Sequence, residues 1–281
     1  MDELCYELYC GNVQEITFSM CNNERLGLNN LRRKFANRQL SKICCALSQS
    51  TSLKKVSIGP LIAFRYPHMM NIILLSIAQS PVNSVESLSL SLSPTRIAAY
   101  ECELKLLLSR LDSLHSLEIS VQQDVESEST ASTTCRMPSR SKLEHEDTTS
   151  MILNEMVLPH LHRIKVLRLS RCGVRDEHLI TLQRHMERNN LKLEELSLAG
   201  NKKITEYGFQ ALCFIKTRYL DLRECEISES CLQIMVTNIQ QDASCFLEDI
   251  VISCKFHLVR SGSLHDFLTL VRSTTVLLTT N

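Results

Sequence analysis

The sequence has no tryptophan, only 5% aromatic residues and only 7 glycines among 281 residues. With so few aromatic side chains, leucine and isoleucine must fill the core, which is typical of a repeating architecture. The scarcity of glycine leaves little material for a phosphate-binding loop, and the chain contains no P-loop, G-x-G-x-x-G or G-x-S-x-G motif. We therefore expect a protein that is not an enzyme, needs no cofactor and takes no small-molecule substrate.

Net charge and long apolar segments are also missing. The 31 basic residues balance the 31 acidic ones, so nothing favours nucleic acid or an anionic membrane as a partner. The longest apolar run, near Met69 to Ala78, is too short to cross a bilayer. The first residues, "MDELCYELYCGNVQE", lack the basic and apolar regions of a signal peptide. We expect a cytoplasmic protein, with the nucleus as the alternative.

The thirteen cysteines are scattered and form no C-x-x-C pair, which favours reduced thiols over disulfides. His160 and His162 lie close to Cys172, but no further motif completes a four-ligand set, so we predict no zinc site. His178 and His185 are seven residues apart on one predicted helix, and we expect both at the surface.

Short L-x-L segments recur along the chain and predict a repeat. Three are clear, "IKVLRLSRCGV", "LEELSLAGNKKI" and "TRYLDLRECEI", and five are weaker. The first apolar residue of each segment serves as an anchor, and the eight anchors are Ile16, Val56, Leu88, Leu117, Leu167, Leu196, Leu220 and Ile250. Most neighbouring anchors are 24 to 32 residues apart, close to the period of leucine-rich repeats.

Between the anchors the apolar period changes from 2 to about 3.6, which predicts helices. "DEHLITLQRHMERN" places Leu179, Leu182 and Met186 on one face, and Asp176 and Thr205 stand where helix N-caps belong. Strand, turn and helix in repetition predict an α/β fold with parallel strands, made of about eight strand-helix units.

The three clear units resemble leucine-rich repeats of the ribonuclease-inhibitor type over about Leu161 to Met235. This resemblance implies a curved solenoid, a horseshoe with strands on its concave face and helices outside. The "N-x-x-I-T" variant that starts at Asn201 is also similar to the cysteine-containing repeats of F-box proteins. Such a preformed curved surface presents polar side chains from successive strands, so we expect a non-catalytic protein-interaction module that acts as a scaffold, adaptor or inhibitor.

We predict a single leucine-rich-repeat domain over residues 1–281 with two special segments. Residues 121–150 are dense in Ser, Thr and acidic side chains and predict a disordered insertion. Residues 255–281 carry Leu264, Phe267, Leu268 and Val271 at helical spacing and predict a C-terminal cap over the last repeat.

The alternating strand pattern predicts which side chains leave the core. In L-x-L the leucines point inward and the x residues outward. In the C-terminal half the outward residues are rich in Arg and Tyr, the types most enriched at interface hot spots. This predicts a partner-protein surface made of Arg168, Glu195, Tyr219, Asp221 and Arg223. The alternative is a solvated face whose charges pair with one another.

A second set of residues follows the strands at a fixed place. Cys21, Cys172, Asn201 and Cys225 each lie three residues after the second apolar residue of a strand. We predict a structural ladder in which an inward amide, or a small buried thiol, serves the backbone groups of the turn.

The alternative function is substrate recognition for a cullin-type ubiquitin ligase. Leu40 and Cys44 have the L-x-x-x-C spacing of an elongin-binding box, but Ser48 stands where that box needs an aliphatic residue. The buried face of a repeat helix explains the same residues better.

Overall fold

The computed structural model describes residues 2–19, 40–60, 62, 67–80, 84–122, 148–241, 247–255 and 273–279. The chain divides into two compact units. The first comprises Met1–Ser116 with Gln122–Arg136, and the second comprises Leu117–Val121 with Met137–Asn281.

The first unit alternates helices with short parallel strands. In chain order the elements are α1 (Asp2–Tyr9), β1 (Glu15–Phe18), a helical stretch at residues 40–47, β2 (Lys55–Ile58), α2 (Pro67–Ala78), β3 (Ser87–Leu92), a 3-10 turn (Ile97–Ala99) and α3 (Glu101–Arg110). The strand β2 pairs in parallel with β1 and with β3, and the anchors Ile16, Val56 and Leu88 lie side by side.

The second unit continues the alternation. Its elements are most of β4 (Ser116–Val121), a π-helical turn (Ile152–Val157), a 3-10 turn (Leu158–His160), β5 (Val166–Ser170), α4 (Asp176–Arg188), β6 (Leu193–Ser197), α5 (Glu206–Leu212), β7 (Thr217–Leu222), α6 (Glu229–Gln241), β8 (Asp249–Lys255) and β9 (Ser273–Thr279). Strands β5 to β9 pair in parallel in the order of the sequence.

The prediction of an α/β chain with parallel strands that alternate with helices is confirmed. Each of the eight anchors lies in a strand, and each is less than 9% exposed. Strands β3, β4 and β5 alternate strictly between buried and part-exposed residues, as the L-x-L pattern predicts. Burial of Leu side chains from every second position therefore sets which face of each strand meets the core.

The helices cover the same core. In α4 the residues Leu179, Leu182 and Met186 are at most 2% exposed, as predicted. In the first unit Tyr100, Leu104 and Leu108 are fully buried. Tyr100 is the largest of the fully buried side chains among the described residues. A leucine-dominated interior is what the low aromatic content leads one to expect.

Both predicted special segments need correction at their edges. Val121 ends β4 and residues 148–151 are helical, with Thr148 and Thr149 buried, so the predicted insertion 121–150 is too wide at both ends; residues 123–147 lie outside the described residues. In the predicted cap, residues 273–279 form the strand β9, which adds to β8 in parallel; residues 256–272, with the predicted helical apolar set, lie outside the described residues. The sequence "STTVLLT" of β9 is rich in β-branched residues and could have indicated this strand.

Over the described part of the chain, no helix combines the length and the apolar character that a membrane crossing needs.

Candidate functional site

The second unit brings all five predicted surface residues onto neighbouring strands. Arg168 lies on β5, Glu195 on β6, Tyr219 and Asp221 on β7, and Arg223 follows β7 directly. The parallel register sets Glu195 beside Tyr219 and Ser197 beside Asp221. We call these five residues the outward strand face, because their positions alternate with the leucines that enter the core.

Arg168 and Glu195 form a two-pronged ion pair between β5 and β6. The Arg168 Nε donates to Glu195 Oε1 at 2.6 Å, and Nη2 donates to Oε2 at 2.8 Å. The Arg168 side chain is 37% exposed and that of Glu195 is 21% exposed. The hydrogen bonds from the guanidinium to Glu195 raise the pKa of Arg168 above its ordinary value. Such a planar pair fixes the guanidinium in one orientation.

Asp221 and Arg223 form a second pair, in which the arginine is again the more exposed partner and the contrast is larger. Asp221 is only 2% exposed, whereas the Arg223 side chain is 50% exposed. The Asp221 carboxylate accepts from Arg223 Nη2 at 2.7 Å, from Arg223 Nε at 2.9 Å and from Ser197 Oγ at 3.0 Å. Burial alone would raise the pKa of Asp221, but the hydrogen bonds from Arg223 and Ser197 outweigh it and leave the pKa below its ordinary value.

The burial of Asp221 corrects one part of the predicted surface. We expected its side chain to meet a partner directly, but the carboxylate is enclosed by Ser197, its own strand and Arg223. Asp221 therefore holds Arg223 in place from below, and Arg223 presents the accessible part of the pair. Ser197, also an outward position by register, is likewise 2% exposed.

Tyr219 lies in the electrostatic centre of the outward strand face. Its side chain is half-buried. The charges of both carboxylates and both guanidinium groups of the two pairs act on the pKa of its phenol. Burial, followed by the negative charge of Asp221, raises the pKa of Tyr219. The phenol is therefore neutral at physiological pH and can both donate and accept a hydrogen bond.

The outward strand face thus combines two fixed guanidinium groups with one aromatic ring. The charges are paired within the face, as in the alternative weighed from the sequence, so the face presents preformed hydrogen-bonding groups whose charges are balanced. Arg and Tyr in such a setting lose little conformational freedom on binding.

The residues of the predicted ladder lie in equivalent places and bond to the preceding strand. Cys172 Sγ donates to Ile119 O at 3.2 Å, Asn201 Nδ2 to Leu169 O at 2.8 Å, and Cys225 Sγ to Leu198 O at 3.2 Å. In each case the acceptor is the second apolar residue of the neighbouring strand, so the contact repeats from one strand to the next. The fourth predicted member, Cys21, lies outside the described residues.

The Asn201 amide forms further hydrogen bonds within the turn. Its Nδ2 also donates to Leu198 O at 2.6 Å, and its Oδ1 accepts from Val174 N at 3.0 Å. Burial raises the pKa of Cys172 to about 12 and that of Cys225 to about 11. Both thiols are therefore protonated at neutral pH and act as weak donors, which does not suit a nucleophile.

A contact beside the ladder escaped the sequence analysis. Arg171, Gly200 and Glu224 all precede a ladder residue and all have left-handed backbone, with φ of 55°, 77° and 58°. Arg171 Nη2 donates to Glu224 Oε2 at 2.8 Å, and a Cβ on Gly200 would meet Arg171 Cγ at 2.4 Å. The Arg171 side chain therefore passes over Gly200 to reach a residue 53 positions away. Only the glycine carries a sequence signal for this geometry.

The prediction that His178 is a surface residue is wrong. It is 6% exposed, its Nδ1 accepts from Arg175 N at 3.1 Å, and its Nε2 lies 3.1 Å from Ser150 Oγ. A serine hydroxyl next to imidazole can suggest a nucleophile and its base. Here Nδ1 is an acceptor, so the neutral ring carries its proton on Nε2 and donates to Ser150. That tautomer cannot take a proton from the serine. The role of His178 is structural, because its Nδ1 accepts the backbone N–H of Arg175, the N-cap of α4.

Two further predictions concern metal and ubiquitin-ligase contacts. Within the described ranges no cluster of three or more His, Cys, Asp or Glu side chains has the arrangement to hold a metal ion. Cys44 of the elongin-box-like segment is 6% exposed and lies in the helical stretch at residues 40–47. Its side chain is therefore turned into the core of the first unit.

The fold and the site define an α/β protein in which parallel strands alternate with helices and one strand face carries ordered Arg–carboxylate pairs around a tyrosine. Searches of the whole chain against protein-family models and against curated proteins found no match in either.

Proposed function

We propose that this chain is a non-catalytic protein-interaction module with the curved solenoid architecture of the ribonuclease-inhibitor-type leucine-rich repeats. It acts in the cytoplasm as a scaffold, adaptor or inhibitor. The partner protein binds to the outward strand face, which lies on the concave side of the solenoid, and no cofactor takes part.

The observation that carries this proposal is the fixed placement of the Arg168 and Arg223 guanidinium groups on the same strand face as Tyr219. Each guanidinium is held by two side-chain hydrogen bonds to a carboxylate. Such groups present their remaining N–H donors without a large entropic cost of ordering. The ring of Tyr219 supplies apolar area at low conformational cost, which is why tyrosine is frequent at hot spots.

Quantitative affinity purification of the tagged chain tests this function. The wild type is compared with Tyr219→Ala and with Arg168→Glu. The control is Arg184→Glu, an equal charge reversal at an exposed position of α4, away from the strand face. We expect at least one partner to be captured by the wild type and the control and to be lost by both face variants. Retention of every partner by both face variants would overturn the proposal.

The same purification tests the alternative function. Components of a cullin complex among the partners, captured independently of Tyr219 and Arg168, would favour a substrate-recognition subunit of a ubiquitin ligase. The buried position of Cys44 argues against an elongin contact through that residue.

A further inference from the structure

A small cavity in the first unit lies between the end of the helical stretch at residues 40–47 and the segments that lead into β2 and β3. Its volume is about 10 Å³. The polar part of its wall consists of Ser50, Ser80 and Ser84, and the rest is apolar, with Leu47, Leu53 and Ile77 among the lining residues. A cavity of roughly 10–15 Å³ on this measure accommodates one water molecule.

Ser50 is the unusual residue of this wall. It is 2% exposed, and its Oγ forms no hydrogen bond, which makes it one of three such buried side-chain atoms in the described part of the chain. A buried hydroxyl without a partner costs free energy, and native proteins seldom leave one unsatisfied. Within the described part of the chain this hydroxyl has no protein partner, so it needs one from elsewhere.

The two other serines are already tied to the backbone nearby. Ser80 Oγ donates to Ser50 O at 2.7 Å, and Ser84 Oγ donates to Leu53 O at 2.9 Å. A serine oxygen that has donated its proton can still accept a hydrogen bond, because it has two lone pairs. The cavity therefore offers a donor at Ser50 and an acceptor at Ser84, which are the partners a water molecule requires.

We propose that this cavity is an internal water site in which one water molecule accepts from Ser50 Oγ and donates to Ser84 Oγ. The water connects the turn after residues 40–47 with the segment before β3, so it belongs to the packing of two successive strand-helix units. The inference does not depend on the proposed function, since it concerns a different unit and a different kind of ligand.

The direction in which Ser50→Ala shifts the urea midpoint separates a hydrated cavity from a dry one. In a dry cavity Ser50→Ala would remove an unsatisfied polar atom, and the urea midpoint of the full chain would rise. In a hydrated cavity the substitution removes a hydrogen bond of the water, and the midpoint falls. We expect a fall, and an unchanged or higher midpoint would overturn the inference.

A double-mutant cycle tests the bridge itself. Ser50 Oγ does not bond to Ser84, and a water that bridges the two hydroxyls predicts energetic coupling between Ser50→Ala and Ser84→Ala. We expect the midpoint shift of the double variant to differ from the sum of the single shifts. The control cycle pairs Ser84→Ala with Ser48→Ala, whose hydroxyl donates to Cys45 O at 2.8 Å outside the cavity, and should be additive. A high-resolution crystal structure supplies a direct readout, because density for a water at Ser50 supports the site and a protein atom in its place contradicts it.

Discussion

Asn201 and the thiols of Cys172 and Cys225 show how one structural position tolerates different chemistry. All three donate to a carbonyl of the neighbouring strand, and the Asn201 amide also accepts from the Val174 N–H at 3.0 Å. An amide satisfies more turn groups, whereas a thiol is small and stable when buried. The interchange of Asn and Cys in the sequence is therefore a choice between hydrogen bonds and apolar packing.

This difference predicts unequal costs for alanine at the two kinds of position. Asn201→Ala leaves Leu169 O and Val174 N unpaired in a buried turn, so we expect a loss of about 3 kcal/mol in the free energy of unfolding. Cys225→Ala removes one weak bond and should cost about 1 kcal/mol. Urea denaturation of both variants measures the difference, and equal losses would contradict this account of the ladder.

The pair formed by Asp221 and Arg223 gives a second prediction for single residues. Arg223→Ala leaves a buried carboxylate whose one remaining side-chain donor among the described residues is Ser197, so we expect a loss of about 2 kcal/mol at neutral pH. The stability that Asp221 contributes is present above its ordinary pKa of 3.8 and is lost as the pH falls through its lower folded-state pKa.

The difference in the free energy of unfolding between the wild type and Arg223→Ala should therefore become smaller at acid pH. Unfolding measured at neutral pH and at several values below the ordinary pKa of Asp221 checks this. Asp221→Asn combined with Arg223→Ala is the control, because it removes the charge and should recover part of the lost stability. A gap that does not depend on pH would show that Arg223 stabilises the strand in another way.

Neighbouring helices are joined through their first turns. Thr205 is the N-cap of α5, as predicted, whereas Asp176 is the first helical residue of α4 and its N-cap is Arg175. The Asp176 carboxylate accepts from Thr205 N at 2.7 Å and from Thr205 Oγ1 at 2.5 Å. The acid of one helix thus satisfies the start of the next, and Glu206 accepts from Ser230 Oγ at the start of α6 in the same manner.

This arrangement reverses the usual effect of alanine in a helix. Gly208 lies in α5 and is buried, and a Cβ there would meet Asp176 Oδ1 at 2.4 Å and Ile204 Cγ2 at 2.9 Å. In an exposed helix Gly→Ala stabilises by about 1 kcal/mol. Here we expect Gly208→Ala to destabilise by about 1–3 kcal/mol, because α4 and α5 can no longer approach so closely.

Thermal or urea unfolding of Gly208→Ala measures this effect. Gln210→Ala, at an exposed position of the same helix, is the matched control and should be close to neutral. A Gly208→Ala variant as stable as the wild type would mean that α5 shifts at little cost, and the tight first-turn contact would then not limit the packing.

Across the whole molecule the cysteines whose side chains are described range from exposed to buried, with Cys5 and Cys213 in between. Cys10, Cys45 and Cys102 are exposed, while Cys44, Cys172, Cys225 and Cys231 are buried. The nine cysteines whose side chains the structure describes are in the thiol form, in agreement with the scattered spacing in the sequence.

Alkylation of the folded chain should follow this division. At mildly alkaline pH we expect iodoacetamide to modify the three exposed cysteines first, and Cys172 and Cys225 only after unfolding, because burial keeps their pKa values at about 12 and about 11. Peptide mass spectrometry after a short pulse identifies the modified sites. Early modification of Cys172 in folded protein would contradict its position in the ladder.

The same two pKa values set the sign of an alkaline effect. Each thiol has a folded-state pKa above its ordinary value of 9.0, so its contribution to stability is complete below that value and is lost as the pH rises through the folded-state pKa. The free energy of unfolding should therefore decline above about pH 9. In a variant with Cys172→Ala and Cys225→Ala that decline should be smaller.

The local pattern of apolar residues was sufficient to predict the secondary structure of much of the molecule. The sequence alone determined the eight predicted strands, their inward and outward faces and the ladder position, because these depend on the period of apolar side chains within a few residues. The strand β9 was missed, although its β-branched residues carried a local signal.

Only the tertiary structure decided which polar groups meet. Asp221 looked accessible from its place in the strand, yet Ser197 from 24 positions away and Arg223 enclose it. Likewise His178 finds Ser150 at a separation of 28 residues, and Arg171 finds Glu224 at 53. A side chain's partner depends on which strand or turn the fold sets beside it, and in a parallel sheet those neighbours are always distant in sequence. The period of the apolar residues therefore determined which face of a strand a residue lies on, and the pairing of neighbouring strands decided what its side chain touches.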